Sequence, residues 1–340
     1  MDTINDLVQQ GLQFFKSQPL PITILVGLGA FTLLRTIASN TLFLLQTFIF
    51  SGYNIKRFGA KNGAWAVVTG ASDGIGKEFA FQLAKSGYNI LLIARNKTLL
   101  DSTATEITAK YTSVQTKTLS IDFSKSDSAS YAGLFLAVSG LDVGVLVNNV
   151  GRSHNMPVYF SETPKDEMDE IVAINVNATL RVTHTILPGM IERKRGLILN
   201  IGSFAGAVPS PMLATYSGTK AFLTTFTSAL AEEVKQHKIV VQHINTYFVV
   251  SKLSKIRKPN LLVPLPGPYV KSVLSKIGLP CGALGSGRPN TSTPFWTHAI
   301  LDYAMTVIGK PKLFISYTHN LHKDIRKRAL KKADRDAKRQ

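Results

Sequence analysis

Hydrophobic and polar positions divide the chain into an apolar N-terminal segment and a longer segment of mixed pattern. From Ser17 to Leu34 no residue is charged, and Leu, Ile, Val and Phe are frequent. A helix of this length rises about 27 Å, close to the hydrocarbon thickness of a bilayer. A second uncharged stretch follows Arg35 and extends to residue 55. We therefore predict a membrane anchor over residues 1–55, with a span at 17–34 and a second apolar helix at 36–55.

The flanking charges predict the orientation of this anchor. Arg35, Lys56, Arg57 and Lys61 follow the span, and only Lys16 precedes it. The positive-inside rule then places the chain after residue 35 in the cytosol. Two full spans would put Arg35 on the opposite side, so we favour a single pass with the second helix lying in the membrane interface. A helical hairpin stays open, as do a buried core helix and a cleaved signal peptide, although a signal peptide would begin with basic residues.

From Gly63 onward, short β-branched runs alternate with longer helical stretches. The runs are expected strands, at Ala64–Thr69, Asn89–Ala94, Gln115–Ser120, Asp142–Asn148, Gly196–Ile201 and Val240–Tyr247. Each interval is long enough for a crossover helix, which predicts an α/β fold with a doubly wound, Rossmann-type parallel sheet. We expect this domain over residues 60–320, with irregular structure between Pro259 and Pro294, where Pro and Gly cluster.

Composition adds a strong positive charge to this picture. The 340 residues are 45% hydrophobic, enough for a sizeable core, and carry a net charge of +18. Such an excess favours an anionic partner: nucleic acid, an anionic membrane face or a phosphate-bearing cofactor. The charge is concentrated in a basic tail at residues 321–340, and no nucleic-acid motif is recognisable, so we predict no nucleic-acid partner. The single cysteine, Cys281, excludes an intrachain disulfide.

A glycine-rich turn follows the first predicted strand. Gly70, Ser72, Gly74, Ile75 and Gly76 lie between that strand and a helical stretch. Glycines at a strand–turn–helix junction let backbone N–H groups approach a pyrophosphate at the helix N-terminus. The spacing is Gly-x-x-x-Gly-x-Gly, and its position at the start of a βαβ series favours a dinucleotide site over an ordinary turn.

The residue at the end of the second strand indicates which dinucleotide binds. An NAD site usually has an acidic residue there, which holds the ribose 2′-OH. This chain has Arg95, a fixed cation suited to a 2′-phosphate, and Lys97 could assist it. We therefore predict NADPH as the cofactor. A solvated surface arginine is the alternative.

Three residues downstream form a candidate catalytic group. Tyr216 and Lys220 are four positions apart, so in a helix they share one face. A nearby ammonium stabilises a phenolate, which would make Tyr216 a usable acid near neutral pH. Ser203 follows the predicted strand 196–201 and could orient a substrate carbonyl. No cluster of His, Cys and acidic residues suggests a metal site.

These motifs, in this order, resemble those of the short-chain dehydrogenase/reductase family. The resemblance covers roughly residues 63–251 and includes the following elements: Thr69 to Gly76, Asp122, Asn148-Asn149-Val150-Gly151, Asn175, Ser203 and Tyr216…Lys220. It implies that Tyr216 donates a proton, that Lys220 lowers the pKa of Tyr216 and holds the nicotinamide ribose, and that Ser203 positions the carbonyl. It further implies that Asn175 supports a proton relay and that Asp122, Asn148 and Asn149 help to seat the cofactor.

One segment departs from the family pattern. After the sixth strand the family often has Pro-Gly-x-Val-x-Thr, which contacts the nicotinamide carboxamide. Here the segment is Thr246-Tyr-Phe-Val-Val-Ser. Val249 and the Ser251 hydroxyl are retained, so the resemblance still implies this contact, although Pro and Gly are absent.

The C-terminal third narrows the resemblance to fungal reductases of the endoplasmic reticulum that act on very-long-chain 3-oxoacyl-CoA. The matching segments are Ser251-Lys-Leu-Ser-Lys-Ile-Arg, Thr293-Pro-Phe-Trp-Thr-His-Ala and Ile325-Arg-Lys-Arg-Ala-Leu-Lys-Lys-Ala. The resemblance implies reduction of 3-oxoacyl-CoA to 3-hydroxyacyl-CoA in fatty-acid elongation, association with other elongation enzymes, and contact with membrane lipid. Residues 252–320 are then a substrate flap, in which Lys252, Lys255, Arg257 and Lys258 could meet the CoA phosphates.

Two other functions stay open at this stage. Animal relatives of these reductases act on 17-keto steroids, which makes a keto-steroid reductase the alternative enzyme. A non-catalytic, nucleotide-binding scaffold is a competing class, and oxidation of NADPH with any 3-oxoacyl-CoA would exclude it.

Overall fold

The protein was analysed as a computed structural model, which describes residues 5–6, 9–11, 13, 17, 19–125 and 128–338. Two compact units are present, residues 1–45 and residues 46–340. The predicted span at 17–34 falls partly outside the described residues, at position 18. The predicted basic tail does so at positions 339 and 340.

The N-terminal apolar segment forms one helix. Helix α1 (Leu20–Leu44) continues as a π-helical turn to Ile49, and the 30 residues from Leu20 to Ile49 are long and apolar enough to cross a membrane. The prediction of two helices that separate at Arg35 is therefore wrong. Arginine is a good helix former, and residues 36–49 contain neither Pro nor Gly, so nothing in that stretch ends the helix.

The second unit contains a seven-stranded sheet. Its strands are β1 (Trp65–Thr69), β2 (Asn89–Ala94), β3 (Thr116–Ser120), β4 (Val143–Asn148), β5 (Gly196–Ile201), β6 (Ile239–Ile244) and β7 (Thr291–Ser292). The order is β3-β2-β1-β4-β5-β6-β7, and every pair is parallel. The predicted doubly wound, Rossmann-type sheet is confirmed. Strands β2 and β3 are added on one side of β1, and β4 to β7 are added on the other side. The strand order therefore reverses between β1 and β4, and such folds bind ligands at this point.

Helices cover both faces of the sheet. They are α2 (Gly74–Lys85), α3 (Lys97–Lys110), α4 (Ser128–Val138), α5 (Lys165–Val172), α6 (Ala178–Glu192), α7 (Phe204–Ala207), α8 (Ala214–Val234), α9 (Pro266–Ser275), α10 (Trp296–Ile308) and α11 (Pro311–Ala337). Because side chains alternate along a strand, Val68 packs on one face with Phe79 of α2, whereas Val67 packs on the other with Val182 of α6 and Leu230 of α8. Burial on both faces explains why the central strands β1, β2, β4 and β5 are nearly continuous apolar runs.

The C-terminal third is more regular than its sequence suggested. The region between Pro259 and Pro294, expected to be irregular, contains α9 and β7. Pro266 is the first residue of α9, where a missing N–H costs no helical hydrogen bond. The predicted boundary between residues 320 and 321 is also wrong, because α11 runs through it. His322, in the middle of α11, is buried and donates from Nδ1 to the Pro211 carbonyl oxygen at 2.7 Å.

A buried carboxylate ties α10 to the sheet. Asp302 accepts hydrogen bonds from Asn245 at 2.9 Å, from the Thr293 hydroxyl at 2.5 Å and from the Arg288 guanidinium at 2.6 Å. Only 2% of the Asp302 side chain is exposed. A buried charge is tolerated when its lone pairs are satisfied in this way, and removal of one partner leaves the other uncompensated.

We therefore expect Asp302→Ala to destabilise the protein by roughly 3–5 kcal/mol, since Arg288 would keep a buried charge without its partner. Thermal unfolding in detergent measures the effect. Glu232→Ala is the control, because Glu232 and its partner Lys235 are both exposed. Equal melting temperatures for the two variants would contradict the assigned role of Asp302.

Candidate active site

The predicted site residues meet at the edge formed by the carboxyl ends of the strands. Gly70, Arg95 and Asp122 follow β1, β2 and β3, and Gly151 follows β4. Together with Ser72 and residues of the segment after β6, they line a cavity of about 390 Å³. Parallel strands bring residues that are distant in sequence to one crevice, which is the expected ligand site of this fold.

The glycine loop is folded tightly against the start of α2. A Cβ atom on Gly76 would lie 2.2 Å from the Gly70 carbonyl oxygen and 2.5 Å from Asn149 Nδ2, so no side chain fits there. Gly70 and Gly74 have φ angles of +66° and +55°, a conformation that favours glycine. The first-turn N–H groups of α2 have no intrahelical acceptor, and the Asp73 side chain accepts from Gly74 at 2.8 Å. The loop fits the pyrophosphate of a dinucleotide.

Arg95 and Asp122 lie on the side of the cavity where the strand order predicts the adenosine half of the cofactor. Arg95 is exposed and lines the cavity. Burial raises the pKa of Asp122, but hydrogen bonds from Ser124 and the charge of Arg95 outweigh it, so the pKa is lowered overall. Lys97, expected to assist Arg95, instead pairs with Asp101 at 2.8 Å. Arg95 is therefore an exposed cation that lines the cavity at the end of β2.

Tyr216, Lys220 and Ser203 come together at the end of β5. Ser203 caps α7, and Tyr216 and Lys220 lie one turn apart on α8, with Lys220 Nζ 5.8 Å from the centroid of the Tyr216 ring. Burial raises the pKa of Tyr216, and a hydrogen bond with the Ser203 hydroxyl partly offsets that rise. Tyr216 is thus a protonated phenol, hydrogen-bonded to a second hydroxyl.

Lys220 holds a buried amine beside this phenol. Its Nζ donates to the Ile201 carbonyl oxygen at 2.9 Å, and burial lowers its pKa to about 8. The amine is therefore charged at neutral pH, although only just. Burial raises the pKa of Tyr216, and the expected lowering of that pKa by Lys220 stays a prediction. An ammonium beside the phenol favours the phenolate, which is the form left after Tyr216 gives up its proton.

Asn175 connects the cavity to the catalytic group. It lies in a π-helical turn, Ala173–Asn177, between α5 and α6. Its Oδ1 accepts from the Arg152 N–H at 2.8 Å, and its Nδ2 donates to the Arg152 carbonyl and to Thr219 Oγ1, both at 2.9 Å. A Cβ atom on Gly151 would lie 3.5 Å from Asn175 Oδ1 and 3.6 Å from Lys220 Nζ. The nucleotide cavity and the buried amine are therefore neighbours.

Two asparagines of the predicted cofactor site have other contacts. Asn148 is buried, and its Nδ2 donates to Thr183 Oγ1 at 2.9 Å and to Asn200 Oδ1 at 2.8 Å. Its amide nitrogen is therefore engaged with α6 and β5, and the contact of Asn148 with the cofactor stays a prediction. Asn149 donates from Nδ2 to the Thr69 carbonyl at 3.0 Å and thereby holds the glycine loop.

The segment after β6 returns to the glycine loop. Val249 is buried, and the Ser251 hydroxyl donates to the Val249 carbonyl at 3.3 Å. Ser251 Cβ would lie 3.5 Å from a Cβ atom on Gly74, so this segment closes over the start of α2. Lys252 pairs with Asp73 at 3.0 Å, and Lys255 donates to the Asn155 carbonyl oxygen. Both lysines line the cavity.

Residues that the sequence analysis did not select hold the loop before Tyr216. Met212 has a φ of +66°, which is uncommon for a residue with a side chain. Val158 donates its N–H to the Met212 carbonyl at 2.9 Å, and His322 of α11 donates to the preceding carbonyl, that of Pro211. Arg152 and Thr219 were missed as well. Thr219 stands directly before Lys220 in the sequence, which was the available signal.

Comparison with known proteins agrees with this geometry. Residues 64–261 match the family model described as short chain dehydrogenase. A protein of Coprinopsis cinerea, named very-long-chain 3-oxoacyl-CoA reductase, is 65% identical over 99% of this chain and 98% of its own length. A Laccaria bicolor protein of the same name is 63% identical over 99% of both chains.

Solved structures show the same fold. A 7β-hydroxysteroid dehydrogenase structure superposes with a TM-score of 0.66 at 23% identity, covering 78% of this chain and 99% of that one. A metagenomic short-chain oxidoreductase in complex with NADP superposes with a TM-score of 0.54 at 28% identity, covering 63% and 90%. The fold, the site and the relatives make this protein an oxidoreductase with a nicotinamide cofactor. The chain belongs to the short-chain dehydrogenase family.

Proposed function

We propose that the protein reduces very-long-chain 3-oxoacyl-CoA to 3-hydroxyacyl-CoA with NADPH. The observation that carries this proposal is the group of Ser203, Tyr216 and Lys220 beside the nucleotide cavity. Relatives that are named for this reaction match almost the entire chain, including its C-terminal third. That full-length match favours acyl-CoA over the keto-steroid alternative, because the catalytic group alone suits any ketone.

The residues of the site have separate roles in the transfer of one proton to the substrate. The cofactor supplies a hydride to the carbonyl carbon when it is bound. The Ser203 hydroxyl orients the carbonyl oxygen, and the Tyr216 phenol gives that oxygen its proton, which completes the alcohol. The phenolate left on Tyr216 is stabilised by the Lys220 ammonium in a dry environment, where a charge–charge interaction is strong. Asn175 keeps the π-helical turn in place beside Lys220 and supports the return of a proton.

The residues present suit NADPH. Arg95 provides a cation for a 2′-phosphate at the end of β2, and the α2 N-terminus receives the pyrophosphate. Val249 and Ser251 remain the proposed contacts of the nicotinamide carboxamide, and Asp122 that of the adenine side. Lys252 and Lys255, at the cavity mouth, are suited to the phosphates of the CoA moiety.

The apolar helix suggests where this reaction takes place. We propose that residues 1–55 anchor the enzyme in the membrane of the endoplasmic reticulum in a single pass, through the helix at Leu20–Ile49, with the catalytic domain in the cytosol. Long acyl chains partition into lipid, so an anchored enzyme meets its substrate at the membrane surface. The other enzymes of fatty-acid elongation, which must supply the 3-oxo product and consume the 3-hydroxy product, are the proposed partners.

The main test is oxidation of NADPH by detergent-solubilised protein with a long-chain 3-oxoacyl-CoA. We expect turnover, and we expect Tyr216→Phe to lower kcat roughly 10²- to 10⁴-fold because the proton donor is lost. Tyr247→Phe, which removes a hydroxyl outside the catalytic group, serves as the matched control. Turnover of a 17-keto steroid without turnover of the acyl-CoA would contradict the proposed substrate.

The pKa of Lys220 generates a prediction about pH. Because burial lowers this pKa to about 8, the amine loses its charge as pH rises through that value and no longer stabilises the phenolate. We expect kcat/KM for reduction to fall above about pH 8. Lys220→Arg keeps a positive charge to much higher pH, so its rate should be lower but its alkaline limb should shift upward. Initial rates across the pH range measure both, and an unshifted limb would assign it to another group.

Arg95 should determine the choice of cofactor. We expect Arg95→Ala to raise KM for NADPH about 10- to 100-fold, the loss of one charge-assisted hydrogen bond, and to leave KM for NADH nearly unchanged. Lys97→Ala is the control, since Lys97 is engaged with Asp101. Equal losses with both cofactors would mean that Arg95 has only a structural role.

A further inference from the structure

Helix α10 presents an apolar face to the outside of the protein. Trp296, Ile300 and Val307 are 42%, 43% and 66% exposed. Their spacing, i, i+4 and i+11, places them on one side of the helix. The opposite side, with Ala299 and Asp302, is buried against the domain. Asp302 is the only acidic or basic residue of α10 apart from a buried histidine, so the exposed side has no charge in a chain of net +18.

The residues that follow α1 in the chain pack beside the start of α10. Gln46 Oε1 accepts the Cys281 N–H at 3.2 Å, and Gly52 donates to the Ser275 carbonyl at 2.8 Å. Cys281 bridges to Thr293, three residues before α10, and a Cβ atom on Gly282 would lie 2.3 Å from Ala299 Cα. Cys281 and Gly282 therefore connect Gln46 with the buried side of α10, on which Ala299 lies.

This neighbouring segment is apolar and exposed as well. Phe48, Ile49, Phe50 and Tyr53 all have exposed side chains. Basic residues lie beside this segment or follow α10 in the chain. They are Lys276, whose Nζ donates to the Phe50 carbonyl at 2.5 Å, Arg57, which lies 4.4 Å above the Tyr53 ring, and exposed Lys310 and Lys312 after α10.

We infer that the exposed side of α10, together with residues 48–53, is a second membrane contact, which lies in the interface of an anionic bilayer. An uncharged face with an exposed tryptophan, bordered by lysine and arginine, is the composition of a helix that lies on a membrane. Basic residues beside such a face are attracted to anionic headgroups, and tryptophan favours the level of the headgroups.

Continuity with the anchor selects lipid as the occupant of this face. A second copy of the chain or another protein could cover an apolar stripe. However, residues 48–53 follow the helix proposed as the span directly in the chain, so they are held near the membrane surface, and Cys281 and Gly282 connect the start of this segment to α10. The inference rests on the proposed membrane anchor and adds an orientation that a single span does not impose.

The two tryptophans of the chain allow a direct test. Trp65 is 6% exposed, within the sheet, and Trp296 is on the proposed contact face. The full-length Trp65→Phe variant is reconstituted into vesicles of phosphatidylcholine and phosphatidylserine that carry a nitroxide close to the headgroup. We expect the labelled lipid to remove most of the Trp296 emission, and aqueous iodide to remove little. Flotation with the vesicles is measured in the same samples.

A charge on the face should reverse this result. In the same background, Ile300→Asp should expose Trp296 to iodide and reduce quenching by lipid, while flotation persists through α1. Leu136→Asp, a substitution at an exposed position of α4, should change neither signal.

The remaining outcomes overturn the inference in distinguishable ways. Flotation with Trp296 open to iodide would show that α10 is solvated and would leave the anchor intact. Flotation with Trp296 protected from both quenchers would assign the face to protein, and cross-linking would then identify a second copy. Failure to float would contradict the anchor and this inference together.

Discussion

The site depends on a positive charge that is kept inside the protein. Lys220 is almost completely buried, and its Nζ donates a hydrogen bond to the Ile201 carbonyl oxygen, at the end of β5, over 2.9 Å. Burying an ammonium is costly unless it is hydrogen-bonded, and the cost shows as a pKa lowered to about 8. The same apolar surroundings raise the pKa of Tyr216. Burial thus disfavours the charged form of both groups, and the charge on Lys220 favours the phenolate that forms when Tyr216 gives up its proton.

Several features of the surrounding structure follow from this charge. Gly151 has no side chain, which leaves room beside the amine, where even a Cβ atom would lie 3.6 Å from Nζ. Asn175 interrupts a regular helix with a π-turn and uses its whole amide on the backbone of Arg152 and on Thr219. Burial, the backbone near Gly151 and the hydrogen bonds of Asn175 therefore surround Lys220 Nζ.

The sequence predicted the strands and the catalytic spacing because both are local patterns. Six of the seven strands, as apolar or β-branched runs, and the four-residue interval between Tyr216 and Lys220 can be read without knowledge of distant contacts. The partners of the buried Asn148 amide could not be predicted, because they depend on the register of β4 and on Thr183, which is 35 positions away. Helix α9 was missed because its prolines lie in the first turn, where they start a helix and do not break one.

The C-terminal helix α11 contacts the loop before the catalytic tyrosine on one side and exposes basic residues on the other. Residues 321–337 of the tail, which was predicted from its charge, belong to α11, whose inner side reaches the loop before Tyr216 through His322. That link joins residues more than 100 positions apart, so composition could not indicate it. The outer side of α11 keeps most of the basic residues exposed. Residues 311–337 have an amphipathic pattern, but their many charged residues made the apolar side difficult to recognise.

The central claim is that this site delivers a hydride to the third carbon of an acyl-CoA. The most direct measurement uses NADPH deuterated at both hydrogens of nicotinamide C4, a long-chain 3-oxoacyl-CoA and mass spectrometry of the product. The account predicts a 3-hydroxyacyl-CoA that carries one deuterium on C3. A product without deuterium, or deuterium at another carbon, would contradict it.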